Sequence, residues 1–121
     1  MKIIITASSS SLDAVFDPRF GRSAFFVFVD TETMEWEAFP NPGINASGGA
    51  GTQAAQFAAE KKVTAVISGD FGPNAASVLS AGGISMFINK TNGNIRSIIE
   101  QFIAGELQQV NSPTASGTHH L

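Results

Sequence analysis

The sequence predicts an α/β domain in which helices pack on a mixed five-stranded sheet. Residues 3–7 form a β-branched apolar run without polar alternation, which is typical of a central strand covered on both faces. Residues 95–103 repeat apolar side chains at the spacing of one helical face, which indicates an amphipathic helix. The predicted element order is βββαβαβα, so an antiparallel start precedes parallel strands connected by helices. Such crossovers are almost always right-handed, which leaves few arrangements of the sheet.

The first half of the chain predicts a hairpin followed by a long loop. Residues 24–29 are rich in phenylalanine and valine, as expected of a second buried strand. After a polar turn, residues 34–38 alternate between apolar and acidic side chains, which is the period of a half-exposed strand. Residues 40–51 contain two prolines and four glycines, and we therefore expect an irregular loop there.

The second half of the chain alternates helices with strands. Residues 50–58 place small apolar side chains on one helical stripe, and residues 63–68 follow as a buried strand. A helix is predicted over residues 73–81, with proline at its first position and two glycines after its end. Residues 84–88 then form the fifth predicted strand, which precedes the helix at residues 95–103.

The composition limits both the architecture and the class of function. The chain has 121 residues, 43% of them hydrophobic, which suits one domain over residues 1–110 and leaves residues 111–121 as a disordered tail. The absence of cysteine excludes disulfides, thiolate zinc sites and cysteine-held iron-sulfur clusters. A net charge of −3 argues against nucleic acid, and no apolar stretch is long enough for a membrane span. We expect a cytoplasmic protein.

Two arginines precede the second predicted strand. Arg19 and Arg22 hold two of only seven basic charges in an acidic chain, and guanidinium groups bind anions through paired hydrogen bonds. They are therefore candidates for holding an anionic ligand. The alternative is that both are solvated or pair with the acidic residues Asp17 and Glu32.

Two glycine-rich loops are the other candidate binding elements. Gly49 and Gly51 open the first helix, where free backbone N–H groups can receive an anion. Gly69, Asp70 and Gly72 follow the fourth strand, at the sheet edge where α/β proteins commonly bind ligands. The glycines can equally serve tight chain reversal, and the acid can be a cap or a solvated residue. The segment that opens the first helix has neither the lysine nor the glycine spacing of a nucleotide-binding motif.

The chain offers little for acid–base or nucleophilic catalysis. It contains neither cysteine nor tyrosine, and His119 and His120 are its only histidines. No Ser-His-Asp arrangement can therefore be assembled from the core. The two histidines are weak candidates for metal ligands, since two ligands at the end of a tail do not make a site by themselves.

Several motifs in order resemble a known family over about residues 1–105. They are Phe20-Gly21-Arg22, the Gly-Ala-Gly entry to the first helix, residues 66–75, and Gly82-Gly83-Ile84. Together they resemble the dinitrogenase iron-molybdenum cofactor biosynthesis family, the NifX-like domains also found at the end of NifB and in NafY. The resemblance implies a ribonuclease H-like three-layer fold.

The resemblance also implies a function related to nitrogen fixation. It points to a non-enzymatic carrier that binds the iron-molybdenum cofactor or an iron-sulfur precursor and works with metallocluster assembly proteins. Some members have histidine just before the Phe-Gly pair, where this chain has Arg19, which can pair with the negative charge of a cluster but cannot ligate its metal. The expected cofactor-binding residues are Arg19, Phe20, Gly21, Arg22, Gly49, Gly51, Gly69, Asp70 and Gly72.

A protein–protein interaction or regulatory module without a cluster remains the alternative. In that case, residues 40–51 would be the contact, and a dimer in solution or an exposed apolar patch would favour it. For either function we expect a monomer or a weak homodimer.

Overall fold

The computed structural model describes residues 1–114 and contains six strands and three helices within them. In chain order they are β1 (Lys2–Ala7), β2 (Phe25–Asp30), β3 (Trp36–Pro40), α1 (Ala50–Glu60), β4 (Ala65–Ser68), α2 (Pro73–Ala81), β5 (Ser85–Ile88), α3 (Ile95–Ile103) and β6 (Gln108–Val110).

All six strands belong to one mixed sheet in the order β3-β2-β1-β4-β5-β6. β1 lies antiparallel to β2 and parallel to β4, so that Ile4 is opposite Phe28 on one side and Val66 on the other. β3 continues the antiparallel hairpin, and β5 continues the parallel half. The α/β class, the mixed sheet and the central place of the first strand are therefore confirmed.

The sixth strand was not predicted, and the five-strand count is corrected accordingly. β6 is only three residues long and pairs antiparallel with β5, with Val110 opposite Met86. Its sequence is Gln-Gln-Val, which carries one apolar side chain and no recognisable alternation. Hydrogen bonding to an existing edge creates this strand, so its own sequence pattern does not reveal it.

The hairpin turn is longer than predicted. The backbone of Met34 has a positive φ of 63°, a conformation that interrupts a strand. The Asp30 N–H donates to the Glu35 carbonyl, which closes the turn, and β3 begins at Trp36. β3 is mostly exposed and forms one edge of the sheet.

The core has two parts, one on each face of the sheet. On one face, Ile4 and Phe26 pack with small side chains of α1 and with Leu79 of α2. On the other face, Ile3 and Ile5 pack against Ile95, Ile98 and Ile99 of α3. Within residues 1–114, none of the helices combines the length and apolar character needed to cross a membrane.

The arrangement of α1 and α2 determines where a site can form. α1 precedes β4, and α2 connects β4 to β5. Both helices lie on the same face of the sheet. A Cβ atom at Gly51 would lie 3.4 Å from the Cβ atom of Ala75, so small residues bring the beginnings of the two helices into contact. Two helix N-termini therefore meet at one end of the sheet.

Candidate functional site

A cavity of about 200 Å³ lies where the three predicted loops meet. Six of the nine predicted site residues line it, and the other lining residues lie in the first turns of α1 and α2. These residues belong to the same glycine-rich motifs that the sequence singled out, and proline at the first position of α2 marks that helix start. The lining residues are Phe20, Gly21, Gly49, Ala50, Gly51, Asp70, Gly72, Pro73, Asn74 and Ala75.

Two helix N-termini open on this cavity without side-chain caps. The cap residues are Gly49 for α1 and Gly72 for α2, and neither first turn contains an acidic residue. In α3, by contrast, the Asn94 side chain accepts a hydrogen bond from the Ser97 N–H. The first N–H groups of a helix have no partner within the helix, and the helix dipole makes this end positive. The cavity is thus bordered by two positive helix ends.

The glycines around the cavity differ in whether the local structure requires glycine. Gly49 has a φ of +71°, which favours glycine. A Cβ atom at Gly21 would lie 3.0 Å from the Gly51 nitrogen, so the loop before β2 packs directly on the start of α1. At Gly72, φ is −74° and a Cβ atom would meet nothing within 4 Å. Neither packing nor backbone conformation requires glycine at position 72.

The loop after β4 is held against the loop before β2. Gly69 lies so close to Pro18 that a Cβ atom there would clash, and its N–H donates to the Pro18 carbonyl over 3.1 Å. The Ser68 hydroxyl donates to the same carbonyl over 3.3 Å. The backbones of Arg19 and Asp70 then pair as an isolated parallel β-bridge. Gly69 therefore joins the two loops from outside the cavity lining.

The two arginine side chains are bonded within the protein and do not line the cavity. Arg19 donates from Nε and Nη2 to the two carboxylate oxygens of Asp17, at 3.1 and 3.0 Å. This hydrogen-bonded pair raises the pKa of Arg19, whose side chain is 65% exposed. Arg19 therefore pairs with Asp17, which was one of the alternatives to anion binding.

Arg22 has a different role, because it fastens the loop that leads into α1. Its Nη1 atom donates to the carbonyls of Ile44 and Ala46, at 3.1 and 3.0 Å. Asn41 supports the same loop by donating to the Phe20 carbonyl over 3.1 Å. These bonds connect the loop before β2 to the loop before α1, and so determine where the α1 N-terminus lies.

Asp70 is the acidic residue of the cavity wall. Among residues 1–114, its carboxylate makes neither an ion pair nor a hydrogen bond with a side chain or backbone group. Partial removal from water raises the pKa of Asp70, because burial disfavours the charged form. Its carboxylate is therefore available for a ligand.

Aromatic side chains form the apolar part of the site. The Phe20 ring is buried, stacks on Phe26 with 5.5 Å between ring centres, and lies 5.4 Å from the ring of Phe71. Phe71 also contacts the end of the described chain. Its N–H donates to Thr114 Oγ1 and its carbonyl accepts from the Thr114 N–H, both over 2.8 Å. No sequence pattern signals this pair.

The described residues do not form a protein-only metal centre. Within residues 1–114, no group of three or more histidine, cysteine, aspartate or glutamate side chains could hold a metal ion. The predicted weak candidates His119 and His120 lie outside the described residues. The chemistry that the described cavity offers is hydrogen-bond donation to an anion, with one carboxylate at its wall.

Solved structures of other proteins have the same fold. The apo form of the orange protein from Desulfovibrio gigas has a TM-score of 0.89 and 35% identity, covering 94% of this chain and 96% of that chain. A Thermotoga protein described as NifB-like has a TM-score of 0.82 and 27% identity, covering 96% of this chain and 98% of that chain.

Sequence comparison agrees with the motifs that carried the family resemblance. An uncharacterized protein of Methanocaldococcus jannaschii is 32% identical over 112 residues, which are 90% of this chain and 91% of that protein. The profile described as dinitrogenase iron-molybdenum cofactor matches residues 1–105. The chain therefore belongs to the dinitrogenase iron-molybdenum cofactor family.

Proposed function

We propose that this protein is a non-enzymatic carrier that binds an anionic metal–sulfide cluster, either the iron-molybdenum cofactor or an iron-sulfur precursor. One observation carries the proposal: two uncapped helix N-termini, without acidic residues in their first turns, meet at one cavity. Converging N–H groups and helix dipoles favour negative charge at this place.

The dimensions and lining of the cavity suit a compact anion. Its volume of about 200 Å³ lies below the range of roughly 300–1,000 Å³ that is usual for drug-sized ligands. Backbone N–H groups can donate to cluster sulfides or to an organic acid, and the buried Phe20 ring offers an apolar contact. Binding through hydrogen bonds rather than strong metal bonds suits a carrier, because the cargo must also be released.

Arg19 and Arg22 support this site in two ways. The backbone of Arg19 pairs with that of Asp70, which lines the cavity, and the exposed Arg19 guanidinium is held by the Asp17 carboxylate. Arg22 orders the loop before Gly49 through two carbonyl groups. In this proposal, Arg19 holds the loop before β2 beside Asp70, and Arg22 keeps the α1 N-terminus in position.

The comparisons support cluster handling at the level of the family. The family profile is named for the dinitrogenase cofactor, and the Thermotoga relative is described as NifB-like. The orange protein structure is described as an apo form. By analogy, the partners of this chain are the cytoplasmic assembly proteins that donate and receive the cluster, and the carrier itself works as a monomer or weak homodimer.

A second candidate function is protein–protein interaction without a cluster. An open groove of about 630 Å³ runs along the β2–β3 hairpin, away from the cavity. Trp36 lies in its wall and is 40% exposed on the edge strand β3. Because large exposed aromatic side chains are common at interfaces, this groove is a better contact for that function than the loop at residues 40–51.

Anaerobic loading tests the carrier function. The protein is incubated with isolated iron-molybdenum cofactor or with a preformed [4Fe–4S] cluster that carries small thiolate ligands, and metal is measured after gel filtration. We expect retention of one of these clusters, weakened by added salt because screening reduces charge interactions. In Gly72→Val, a side chain occupies open space at the cavity, so affinity should fall at least about tenfold, or about 1.4 kcal/mol.

Gly48→Val is the matched control. A Cβ atom at Gly48 also meets nothing within 4 Å, but Gly48 does not line the cavity. This variant should bind like the wild type. Failure of the wild type to retain either cluster, or equal loss in both variants, would contradict the carrier proposal and direct attention to the hairpin groove.

A further inference from the structure

The strand β3 leaves one edge of the sheet open. It pairs with β2 on one side, and no other strand among residues 1–114 pairs with its outer side. The Asn41 N–H donates to the Ala24 carbonyl over 3.1 Å, and residues of an antiparallel strand direct their backbone groups alternately toward and away from the neighbour. The odd-numbered residues of β3 therefore face β2, whereas the N–H and C=O groups of Trp36 and Ala38 point outward.

The two faces of this open edge differ in chemistry. Glu37 is opposite Phe28, whose side chain packs on the same face of the sheet as α1 and α2, and Glu35 lines the hairpin groove beside it. Successive side chains of a strand point to opposite faces. Trp36 and Ala38 therefore lie on the face that α3 covers in part, and Trp36 is 40% exposed there. One face of the edge is acidic and the other is apolar.

The hairpin groove gives the acidic face room for a ligand. Its volume is about 630 Å³, and three acidic residues and one basic residue, Lys2, line it. Asp30 is within 3.9 Å of the N-terminal amine, but Glu35 and Glu37 form no ion pair among residues 1–114. Residues 30–37 contain four of the ten acidic residues of the chain and no basic one. The charge of the groove therefore favours a cationic ligand.

An ammonium group of the chain itself already lies on this face. Lys61 follows the last residue of α1 and places its Nζ atom 4.2 Å from the centre of the Phe39 ring and 5.5 Å from that of Phe57. A cation above an aromatic ring is a favourable arrangement. Phe39 is two residues from Glu37 and lies on the same face of β3. The surface that receives the Lys61 ammonium therefore continues into the acidic groove.

We propose that the open edge of β3 binds an extended segment of a partner protein in which basic and apolar residues alternate. The backbone of this segment would bond to the outward groups of Trp36 and Ala38, as in other complexes where a peptide adds a strand to a sheet. Its basic side chains would face Glu35 and Glu37, and its apolar side chains would cover Trp36. A second copy of this chain fits the edge less well, because it would bring the acidic residues 30–37 of two chains together.

This inference rests on the interaction role proposed for the hairpin groove and is independent of the carrier role. The groove includes Lys2, the first residue of β1, whereas the cavity includes Asp70, which follows the last residue of the parallel strand β4. The two therefore lie toward opposite ends of the sheet. A partner bound at the groove would leave the cavity open.

A capped peptide of alternating lysine and valine tests the proposal on the full-length protein without a cluster. Trp36 is the only tryptophan of the chain, so its fluorescence reports binding at this edge. NMR shifts of the backbone amides locate the peptide. We expect saturable binding, with the largest shifts in residues 35–39, and weaker binding at high salt. Absence of saturable binding, or shifts centred on another part of the chain, would overturn the proposal.

Glu35→Gln/Glu37→Gln tests the charge selection. Because exposed charge pairs contribute modestly, the variant should bind the peptide about three- to tenfold more weakly. The matched control Glu100→Gln/Glu106→Gln removes the same charge from exposed positions elsewhere and should bind like the wild type. A capped peptide of alternating glutamate and valine should not bind. Equal binding of the two peptides would show that the groove is a contact without the proposed selection for a basic partner.

Ala38→Pro tests whether the peptide extends the sheet. It removes an outward N–H and leaves the bonds between β2 and β3 in place, which is where proline is tolerated in an edge strand. Peptide binding should fall several-fold. A lysine–valine peptide with methylated backbone nitrogens makes the same test on the unaltered protein. Normal binding in both experiments would overturn the strand-addition geometry, and circular dichroism confirms that the variant is folded.

Two further measurements separate this inference from its alternatives. Glu35→Gln/Glu37→Gln should retain a cluster as well as the wild type does, because the groove does not include the cavity. Failure of cluster loading in the wild type would therefore leave the peptide result standing, and failure of peptide binding would leave the carrier function standing. A homodimer that Ala38→Pro abolishes would assign the edge to a second copy and overturn the proposal.

Discussion

At the scale of single residues, Asp70 connects stability to the candidate site. It is an acid at a cavity bordered by two positive helix ends, and it has no partner among residues 1–114. Its pKa is nevertheless raised, because partial burial disfavours the charged form. A carboxylate with a raised pKa does not stabilise the fold in its charged form. Acids of this kind in clefts commonly take part in binding.

The raised pKa predicts a pH-dependent effect of Asp70→Asn on stability. The folded chain holds the Asp70 proton more tightly than the unfolded chain, whose carboxyl has the ordinary pKa of 3.8. Stability from this group is therefore fully present below that pKa and is lost as pH rises through the folded pKa. Relative to the wild type, Asp70→Asn should become more stable from about pH 3 to about pH 7. Urea unfolding at several pH values measures this, and a constant difference would contradict it.

At the scale of elements, the helix starts show why function and stability compete. α1 and α2 both begin with glycine and lack caps, whereas α3, on the other face of the sheet, is capped by Asn94. A cap would satisfy the same N–H groups that an anion needs. Absence of caps at the cavity is thus consistent with a site that leaves its donors free for a ligand.

Gly72→Ser should expose this competition directly. The backbone at Gly72 is extended, with φ of −74° and ψ of 170°, which suits a serine cap. The hydroxyl should cap α2 and raise the free energy of unfolding by a few tenths of a kcal/mol, while cluster binding weakens. Thermal unfolding and cluster retention measure the two effects. A variant that binds as well as the wild type would show that the α2 N-terminus does not contact the cargo.

Arg22→Gln should loosen the loop before α1 without unfolding the domain. The guanidinium is exposed, so its two bonds to Ile44 and Ala46 should contribute only about 1 kcal/mol or less to global stability. Hydrogen exchange of the amides in residues 44–49 should become faster, with little change elsewhere. Arg96→Gln, at an exposed ion pair with Asp13, is the control and should leave that loop unchanged. Unchanged exchange in both variants would remove Arg22 from the site.

At the scale of the whole molecule, stability depends on the packing of both faces of the sheet. Ile99 is fully buried between α3 and the sheet, and Ile99→Ala should cost about 2–5 kcal/mol. Phe102 is only partly buried and packs edge-on against Phe87, with 5.0 Å between ring centres, so Phe102→Ala should cost less than Ile99→Ala. Urea unfolding measures both losses, provided that the two variants have the m value of the wild type. A larger loss for Phe102→Ala than for Ile99→Ala would mean that α3 packs differently.

The sequence by itself determined the features that local patterns encode. The helices at residues 73–81 and 95–103 were predicted with the bounds that the structure has, because apolar spacing, proline and glycine act within a few residues. The burial of β1 on both faces was predicted for the same reason. The three loops of the site were also recognisable, since glycines at strand and helix ends are local signals.

Only the tertiary structure decided which distant groups meet. β6 exists because β5 offers an edge, Arg22 bonds to carbonyls more than twenty residues away, and Thr114 pairs with Phe71 across 43 residues. The pattern of residues along the sequence indicates which side of an element is buried. It does not indicate which distant segments the fold brings together. The cavity, its two uncapped helix ends and the Thr114–Phe71 pair all depend on contacts between distant segments, which is why they appear only in the folded chain.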